Sequence, residues 1–443
     1  VWITPGLLEQ SSRRTESDTT MQSGMLTGYR VLDITQFVAG PVCTRILAEL
    51  GAEVIKVELA PYGDRTRGQG FRPRAPEFRK SSRSTYYFQH NHSKKSLALD
   101  FKHPKGRQLL RSMASGCDVL VENFAPGVMA RAGLDYAQLS RLNPRLIMCS
   151  ISFAGQTGPL SSKPGYDYIA QAYSGITSLI GEADRSPALV PIAIGDVSTG
   201  VSAAMAVGFA LLHRERTGRG QHVEATLLDT YFHMHEANVP KVSIRGDTFT
   251  PHRAGSQHPD GGPMGIFRWR GDEFISINVL PHQWAQLAKT LGRPELAHDP
   301  KFATAHARRD NNAEIVTIIE EWLRQFPTRD AAIAALERDR IPCGPVLTLN
   351  EAMRLPHLAE RGTVRQVLDS QIGAFAISGN PARFSDWKAP ADVKADMLGE
   401  SNEMVLRQFG LSPAQIKELY AEGVLVRDPL LEQENAASEE MKV

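Results

Sequence analysis

Gly195-Asp196 stands where an apolar run, residues 190–194, gives way to a long helical pattern over residues 198–214. An aspartate at such a strand-to-helix transition caps the helix, because its carboxylate accepts from the free amides of the first turn. The same position suits a nucleophilic carboxylate. Free amides and the positive end of a helix favour the ionised form at neutral pH, and open α/β sheets place their ligands at the carboxyl ends of the strands. The two readings are compatible. Asp167 lies in Lys163-Pro-Gly-Tyr-Asp-Tyr-Ile-Ala-Gln171, after a turn region at residues 155–158. There it reads as the cap of another helix; facing a ligand, its carboxylate would orient substrate or share protons with a reacting acid.

Charge is the second chemical signal. Residues 65–107 hold twelve cations, from Arg65 and Arg67 through Lys102, Lys105 and Arg107, against two acids, Glu77 and Asp100, in a chain whose net charge is +1. A solvated basic loop is the bland reading. The functional reading is a site for a polyanionic small molecule, since phosphates need Arg and Lys donors converging from loops at strand ends. Nucleic acid competes for such a block, but no recognised binding module accompanies it. A nucleotide-bearing ligand therefore leads. The thirteen histidines show no metal-ligand spacing, and neither a Gly-x-Ser-x-Gly elbow nor a P-loop occurs. No metal is expected.

The elements that must hold these residues read as α/β units. Strand Arg30-Val-Leu-Asp-Ile34, a helix carrying Val42, Ile46, Leu47 and Leu50, and strand Ala52-Glu-Val-Ile-Lys-Val-Glu58 form a β-α-β unit, with Gly51 as the helix stop and Pro41 suited to the first helical position. The turn before the helix has only Gly40. A nicotinamide or flavin fingerprint needs three glycines there, so a dinucleotide dehydrogenase is disfavoured even with Glu58 at the end of the second strand. A second unit runs through Asp118-Val-Leu-Val-Glu122, a helix from Asp135 and a strand over residues 146–151; a third is expected from a strand at residues 190–194, through the helix after Asp196, to a strand at 221–225. Repeated units of this kind predict a Rossmann-like doubly wound parallel sheet.

From about residue 228 the character changes to a Gly/Pro/His-rich stretch, a hairpin turning at Gly271-Asp272, and helices with clean apolar faces, including Ile315, Ile318, Ile319 and Trp322 after a capping Asp310. The expected organisation is a leader or tag at 1–24, a large α/β domain over 25–227, a smaller α+β domain over 228–340, a return to the large domain over 341–427, and an acidic tail over 428–443. Apolar residues make up 42% of the 443, enough for a large core. The near-neutral charge gives no global pull toward nucleic acid or membrane. The longest apolar stretch, residues 201–212, is too short to span a bilayer, so no membrane segment is expected. Cys43, Cys117, Cys149 and Cys343 are scattered among apolar neighbours, which points to reduced thiols and a cytoplasmic protein.

With these residues in place, the chain resembles the class III CoA-transferases over about residues 26–425. The likeness rests on several blocks in order: Val31-Leu-Asp-Ile with Ala39-Gly-Pro41, Leu50-Gly-Ala-Glu-Val-Ile-Lys-Val-Glu58, Lys95-Ser-Leu-Ala-Leu-Asp100, Val121-Glu-Asn-Phe-Ala-Pro-Gly127, Gly165-Tyr-Asp167, Gly195-Asp196, Thr217-Gly-Arg-Gly-Gln221 and Ile341-Pro-Cys-Gly-Pro-Val346. Together and in this order they are specific. The resemblance implies an acyl-CoA:carboxylate CoA-transferase in which Asp196 is the nucleophile, forming an aspartyl acyl anhydride and then an aspartyl-CoA thioester, with Asp167 and Tyr166 beside it. It further implies coenzyme A as co-substrate against Val38, Ala39, Leu99, Lys102, Asn123, Phe124, Ala125 and Arg131, with Arg67 of the basic block as a phosphate partner, and an interlocked homodimer with a cover loop near Gly261-Gly262. That loop lacks a long glycine run, so a formyl-CoA/oxalate specificity does not carry over, and Leu59 stands where many relatives have Arg. Racemases of 2-methylacyl-CoA share the fold but carry His where this chain has Tyr166, which removes the expected imidazole base. A racemase is the alternative enzyme. A noncatalytic CoA- or nucleotide-binding protein, with Asp196 only a helix cap, is the alternative of another class.

Overall fold

The computed structural model describes residues 24–70 and 83–431. The expected leader up to residue 23, the acidic tail from residue 432, and Arg72, Arg74, Arg79 and Lys80 of the basic block lie outside the described residues. The central sheet has six parallel strands, β1 (Arg30–Asp33), β2 (Glu53–Leu59), β3 (Lys95–Leu99), β4 (Val119–Glu122), β5 (Ile147–Ser152) and β6 (His222–Thr226), in the order β3-β2-β1-β4-β5-β6. Successive residues of each strand point to opposite faces, and both faces are buried. Val31, Val54, Val119 and Ile147 pack under α1 (Ala39–Glu49) and α7 (Ile194–Thr217). Leu32, Ile55, Leu120 and Met148 pack on the other face, under α3 (Pro104–Ser115), α5 (Tyr136–Leu142) and the later helices Asn402–Gln408 and Pro413–Ala421. Between α1 and α7 in sequence also come α2 (Thr85–Asn91), α4 (Val128–Ala132) and α6 (Asp167–Tyr173), and α8 (Leu227–His233) follows β6.

The order of the strands reverses between β1 and β4, which is the topological switch point where the loops leaving the sheet diverge and open a crevice. Helix α1 starts two residues before Pro41, so the proline takes the third helical position, still within the turn whose amides have no helical partner. Gly51 does end the helix, at φ +101; a Cβ there would come within 2.7 Å of the Gly24 backbone.

The expected strand at residues 190–194 does not form. Pro187 and Pro191 remove two amides from any ladder, the chain runs irregularly to Ala193, and β6 pairs directly with β5, Met148 opposite His222. Helix α7 therefore enters from a loop, and it absorbs the whole apolar stretch at 201–212. At 24 residues it is long and apolar enough to cross a membrane by length and composition, which corrects the expectation of no segment that long. Core helices pass the same test, and the face carrying Ala203, Val207, Ala210 and Leu211 is buried against the sheet.

A three-stranded antiparallel sheet, β7 (Met264–Arg270), β8 (Glu273–Asn278) and β9 (Cys343–Pro345), packs Phe267, Ile275 and Ile277 against Trp284, Leu287, Ile315, Ile319 and Leu336 in a separate apolar cluster. Asp310 closes one helix, Ala305–Asp310, and does not cap the next, which starts at Asn312. After β9 the chain forms the hairpin of β10 (Val364–Asp369) and β11 (Gly373–Ser378), seated on Tyr87 and Phe88, and then comes back to the large sheet through a bridge between Leu99 and Leu425.

Candidate active site

Asp196 occupies the third position of α7, and Ala193 flanks the helix start without a side-chain cap. Asp167, likewise, is the first residue of α6 and does not cap it. Each reading as a cap is thus corrected, and the two residues are instead joined to each other. The Asp196 amide donates to Asp167 Oδ2 at 2.8 Å. Asp167 Oδ1 accepts from the Tyr231 hydroxyl on α8 at 2.6 Å. The same hydroxyl accepts from the Gly195 amide at 3.0 Å and from Gln171 Nε2 at 3.3 Å. Only glycine fits at 195, because a Cβ would stand 2.1 Å from the Tyr231 ring.

This arrangement reverses the expected ionisation of Asp196. Burial and the neighbouring Asp167 carboxylate push its carboxyl up to about 7, because the first-turn amides that would have favoured its charge are already held by Tyr231 and Asp167. At neutral pH the carboxyl is poised between a proton-carrying form and a nucleophilic one, the condition typical of a working acid or nucleophile.

The switch-point loops lead into α1, which packs on the helix that carries this carboxyl. Gln36, in the loop after β1, is clamped by Asn123 in the loop after β4: its amide donates to Asn123 Oδ1 at 2.8 Å and its carbonyl accepts from Nδ2 at 2.7 Å. Val38 and Ala39 are buried at the start of α1, and a Cβ on Gly200 of α7 would come within 2.6 Å of the Ala39 carbonyl. The start of α1 therefore packs against the second turn of α7, one turn beyond Asp196. Phe37 has a left-handed backbone, φ +66, rare for a bulky residue and a sign of local strain. Its ring meets the exposed Tyr166 edge-on at 6.2 Å.

Phe124 donates its amide to Glu122 at 2.8 Å and sets its ring against Phe101, Ala125 is exposed, and Arg131 on α4 lies over Gly127. Leu99 ends β3, fully buried, and Lys102 is exposed in the loop that follows. These positions all lie at the carboxyl edge of the sheet. Arg67 does not join them. It is 3% exposed and its guanidinium grips Glu58 at 2.7 and 2.6 Å, with the Tyr87 hydroxyl and the Asp396 carbonyl as further partners. Its assignment to the ligand is corrected to an internal ion pair. Four further cations of the basic block are likewise engaged in ion pairs, Arg83 with Asp369, Lys94 with Asp33, Lys95 with Glu53 and Lys105 with Glu418 and Glu422, whereas Arg65 and Lys102 are exposed.

Two features escaped the sequence reading. Tyr231 lies in a short helix with no motif around it; the one sequence signal is Gly195 itself, a missing side chain that makes room for a ring. A buried charge network is the other. Asp33 accepts from Thr35, Thr44 and Lys94, and Lys94 also donates to the Pro41 carbonyl at 3.0 Å, while Lys56 donates to the Thr35 carbonyl at 2.9 Å and pairs with Asp64 at 3.0 Å. Burial opposes the Asp33 charge, but Lys56 and Lys94 outweigh it and the carboxyl lies at about 2. Burial in turn brings Lys94 down to about 8 against the pull of Asp33. The network pins both ends of the loop that carries Gln36, Phe37 and Val38.

Comparison with known proteins agrees with this geometry. Residues 26–402 match the model of CoA-transferase family III. Formyl-CoA:oxalate CoA-transferases of Bradyrhizobium diazoefficiens and Rhodopseudomonas palustris are each 34% identical to the chain over 427 residues, covering 90% of it and 97% of theirs. A solved CaiB/BaiF family protein from Brucella suis superposes with a TM-score of 0.75 at 32% identity, over 88% of this chain and 100% of its own. Rv3272 from Mycobacterium tuberculosis gives 0.73 at 29% identity, over 86% and 99%. The chain belongs to CoA-transferase family III. It is an enzyme of that class, with coenzyme A as co-substrate.

Proposed function

We propose that this enzyme moves coenzyme A from an acyl-CoA to a carboxylic acid through covalent intermediates on Asp196. The observation that carries the reading is the meeting of a carboxyl poised near neutrality with the switch-point loops, in the crevice where open α/β sheets hold nucleotide-bearing ligands. The residues present suit the co-substrate. Val38 and Ala39 offer an apolar wall to a pantetheine arm, and Lys102 and Arg131 are exposed cations at the same edge, suited to phosphates.

Ionised Asp196 attacks the acyl carbonyl, the carbon–sulfur bond breaks, and CoA leaves as thiolate, giving a mixed aspartyl anhydride. The thiolate attacks the aspartyl carbonyl of that anhydride, forming the aspartyl-CoA thioester and expelling the donor carboxylate. An acceptor carboxylate then reverses both steps. Dividing the exchange this way replaces one difficult displacement with easier ones, provided water is kept from the anhydride. Asp167 holds the Asp196 backbone, and Tyr166 stands at the mouth beside Phe37. The enzyme works as an interlocked homodimer, with residues 25–227 and 341–427 as the large domain and 228–340 as the small one, whose sheet also takes in β9 (Cys343–Pro345) at the start of the return. The formyl-CoA:oxalate transferases among its relatives make formyl-CoA and oxalate the first donor and acceptor to assay, within a wider panel of acyl-CoAs and acids.

The test is Asp196→Ala. It should cut CoA exchange between labelled carboxylates by about 1,000-fold or more while leaving CoA binding intact, and hydroxylamine should mark Asp196 in the wild-type protein once acyl-CoA is added. Transfer surviving in the variant sinks the nucleophile. An unmarked Asp196 with no turnover points to a binding protein, and deuterium entering the acyl α-carbon without any acceptor points to a racemase.

A further inference from the structure

We propose that Tyr231 is a positioning residue for this reaction: its hydroxyl locks the first turn of α7, and through Asp167 the Asp196 backbone, in the attacking geometry. The inference rests on Asp196 being the nucleophile. A phenol hydroxyl has one proton to donate and two lone pairs to accept with, and here every one is used: the proton on Asp167 Oδ1, the lone pairs on the Gly195 amide and Gln171 Nε2. The two carboxylate oxygens of Asp167 are divided in turn between Tyr231 and the Asp196 amide. Two consecutive amides of α7 are thus held, one by Tyr231 directly and one through Asp167. The ring is buried and fills the space that glycine leaves at 195, where a Cβ would lie 2.1 Å away.

The arrangement reaches beyond packing because of where the locked backbone lies. A generic helix would leave those amides to the side chain of Asp196; here they are turned to Asp167 and Tyr231, so the Asp196 carboxyl points free of its own helix and is available to a substrate. The titratable groups that face it from the surrounding elements are Asp167 on α6, Tyr231 on α8 and Tyr86 on α2, with Tyr168 next to Tyr86. Burial pushes the Tyr231 phenol up to about 12, with the Asp167 bond adding to it, so it stays a donor across the working pH range. Tyr231 touches neither Val38, Asn123 nor Arg131 through any hydrogen bond, so its effect should fall on the chemical step and not on the hold on CoA.

Tyr231→Phe keeps the ring against Gly195 and removes only the hydroxyl. The variant should retain its circular dichroism spectrum and bind a non-reactive CoA thioether within twofold of wild type, yet show kcat and the single-turnover rate of Asp196 acylation lowered roughly 100-fold, the size of effect a misplaced reacting group produces. A purely structural role would lower the number of CoA thioether sites per chain and kcat in the same proportion through loss of folded protein, and that pattern would overturn the inference, as would a wild-type acylation rate. Asp196→Ala run alongside separates the two claims. Transfer surviving in Asp196→Ala removes the nucleophile and this inference with it, whereas an inactive Asp196→Ala beside a fully active Tyr231→Phe removes the inference alone.

Discussion

Asp196 titrates near 7 in the folded chain, against an ordinary value of 3.8, and the sign of the consequence for stability follows from that direction. Between those two values the folded state holds a proton that the unfolded state has released, so stability falls as pH rises through this window and levels off above 7. Asp196→Asn cannot ionise. Its stability advantage over wild type should therefore be small at pH 4 and grow to about 4 kcal/mol above pH 7.5, read from urea midpoints across the range. A difference that does not vary with pH would mean that the carboxyl is not perturbed. The same titration should shape the rate, because only the ionised form attacks: kcat/KM should rise with pH through an apparent value near 7. Nothing near Asp196 in the sequence reveals this shift. Its neighbour Asp167 is 29 residues away, and a local reading assigned the helix amides to Asp196 itself, which gave ionisation of the opposite sign.

The loop between β1 and α1 shows how elements hold such a residue in place. Its ends are tied by Asp33, Lys94 and Lys56, and its middle by the Asn123 clamp. Removing one member of a buried ion pair strands the other, at a cost of about 3–5 kcal/mol, while removing both costs less. Lys94→Met should destabilise the fold by about that amount, and Asp33→Asn/Lys94→Met should regain a substantial part of the loss, as measured by denaturant unfolding; a single variant within 1 kcal/mol of wild type would show that the pair does not hold the loop. The elements themselves were largely legible. Apolar spacing and Gly51 marked β1, α1 and β2 to within a residue or two, and the helix read from Asp135 forms one residue later as α5, with Asp135 its cap accepting from the Gln138 amide. The strand expected at 190–194 failed because an apolar run was weighed above Pro191 within it and Pro187 just before it. The basic block was misread for a different reason. Partners such as Asp369 for Arg83 and Glu418 for Lys105 are remote in sequence, so five cations that looked unpaired, Arg67, Arg83, Lys94, Lys95 and Lys105, meet carboxylates once the chain folds.

At the scale of the whole molecule, α7 leaves one face without a partner in the single chain. Val197, Val201, Met205, Phe209 and Leu212 follow one another at steps of four, four, four and three, which sets them along one side of the helix, and all are exposed, Phe209 to 64%. Ile169 and Tyr173 on α6 are exposed as well. Soluble chains seldom leave so continuous an apolar strip to water, and Asp196 sits in the first turn of α7, one residue before Val197, so whatever covers the strip also borders the site. The proposed homodimer supplies that cover. Wild-type protein at micromolar concentration should sediment as a dimer, and Met205→Glu/Phe209→Glu, placing two charges in the strip without touching Asp196, Asp167 or Tyr231, should shift it to monomer with at least a tenfold loss of transfer activity, because the water exclusion that the anhydride requires depends on a closed site. A wild-type monomer at full activity would refute the dimer, and a doubly charged variant that still dimerises would place the interface elsewhere on the surface.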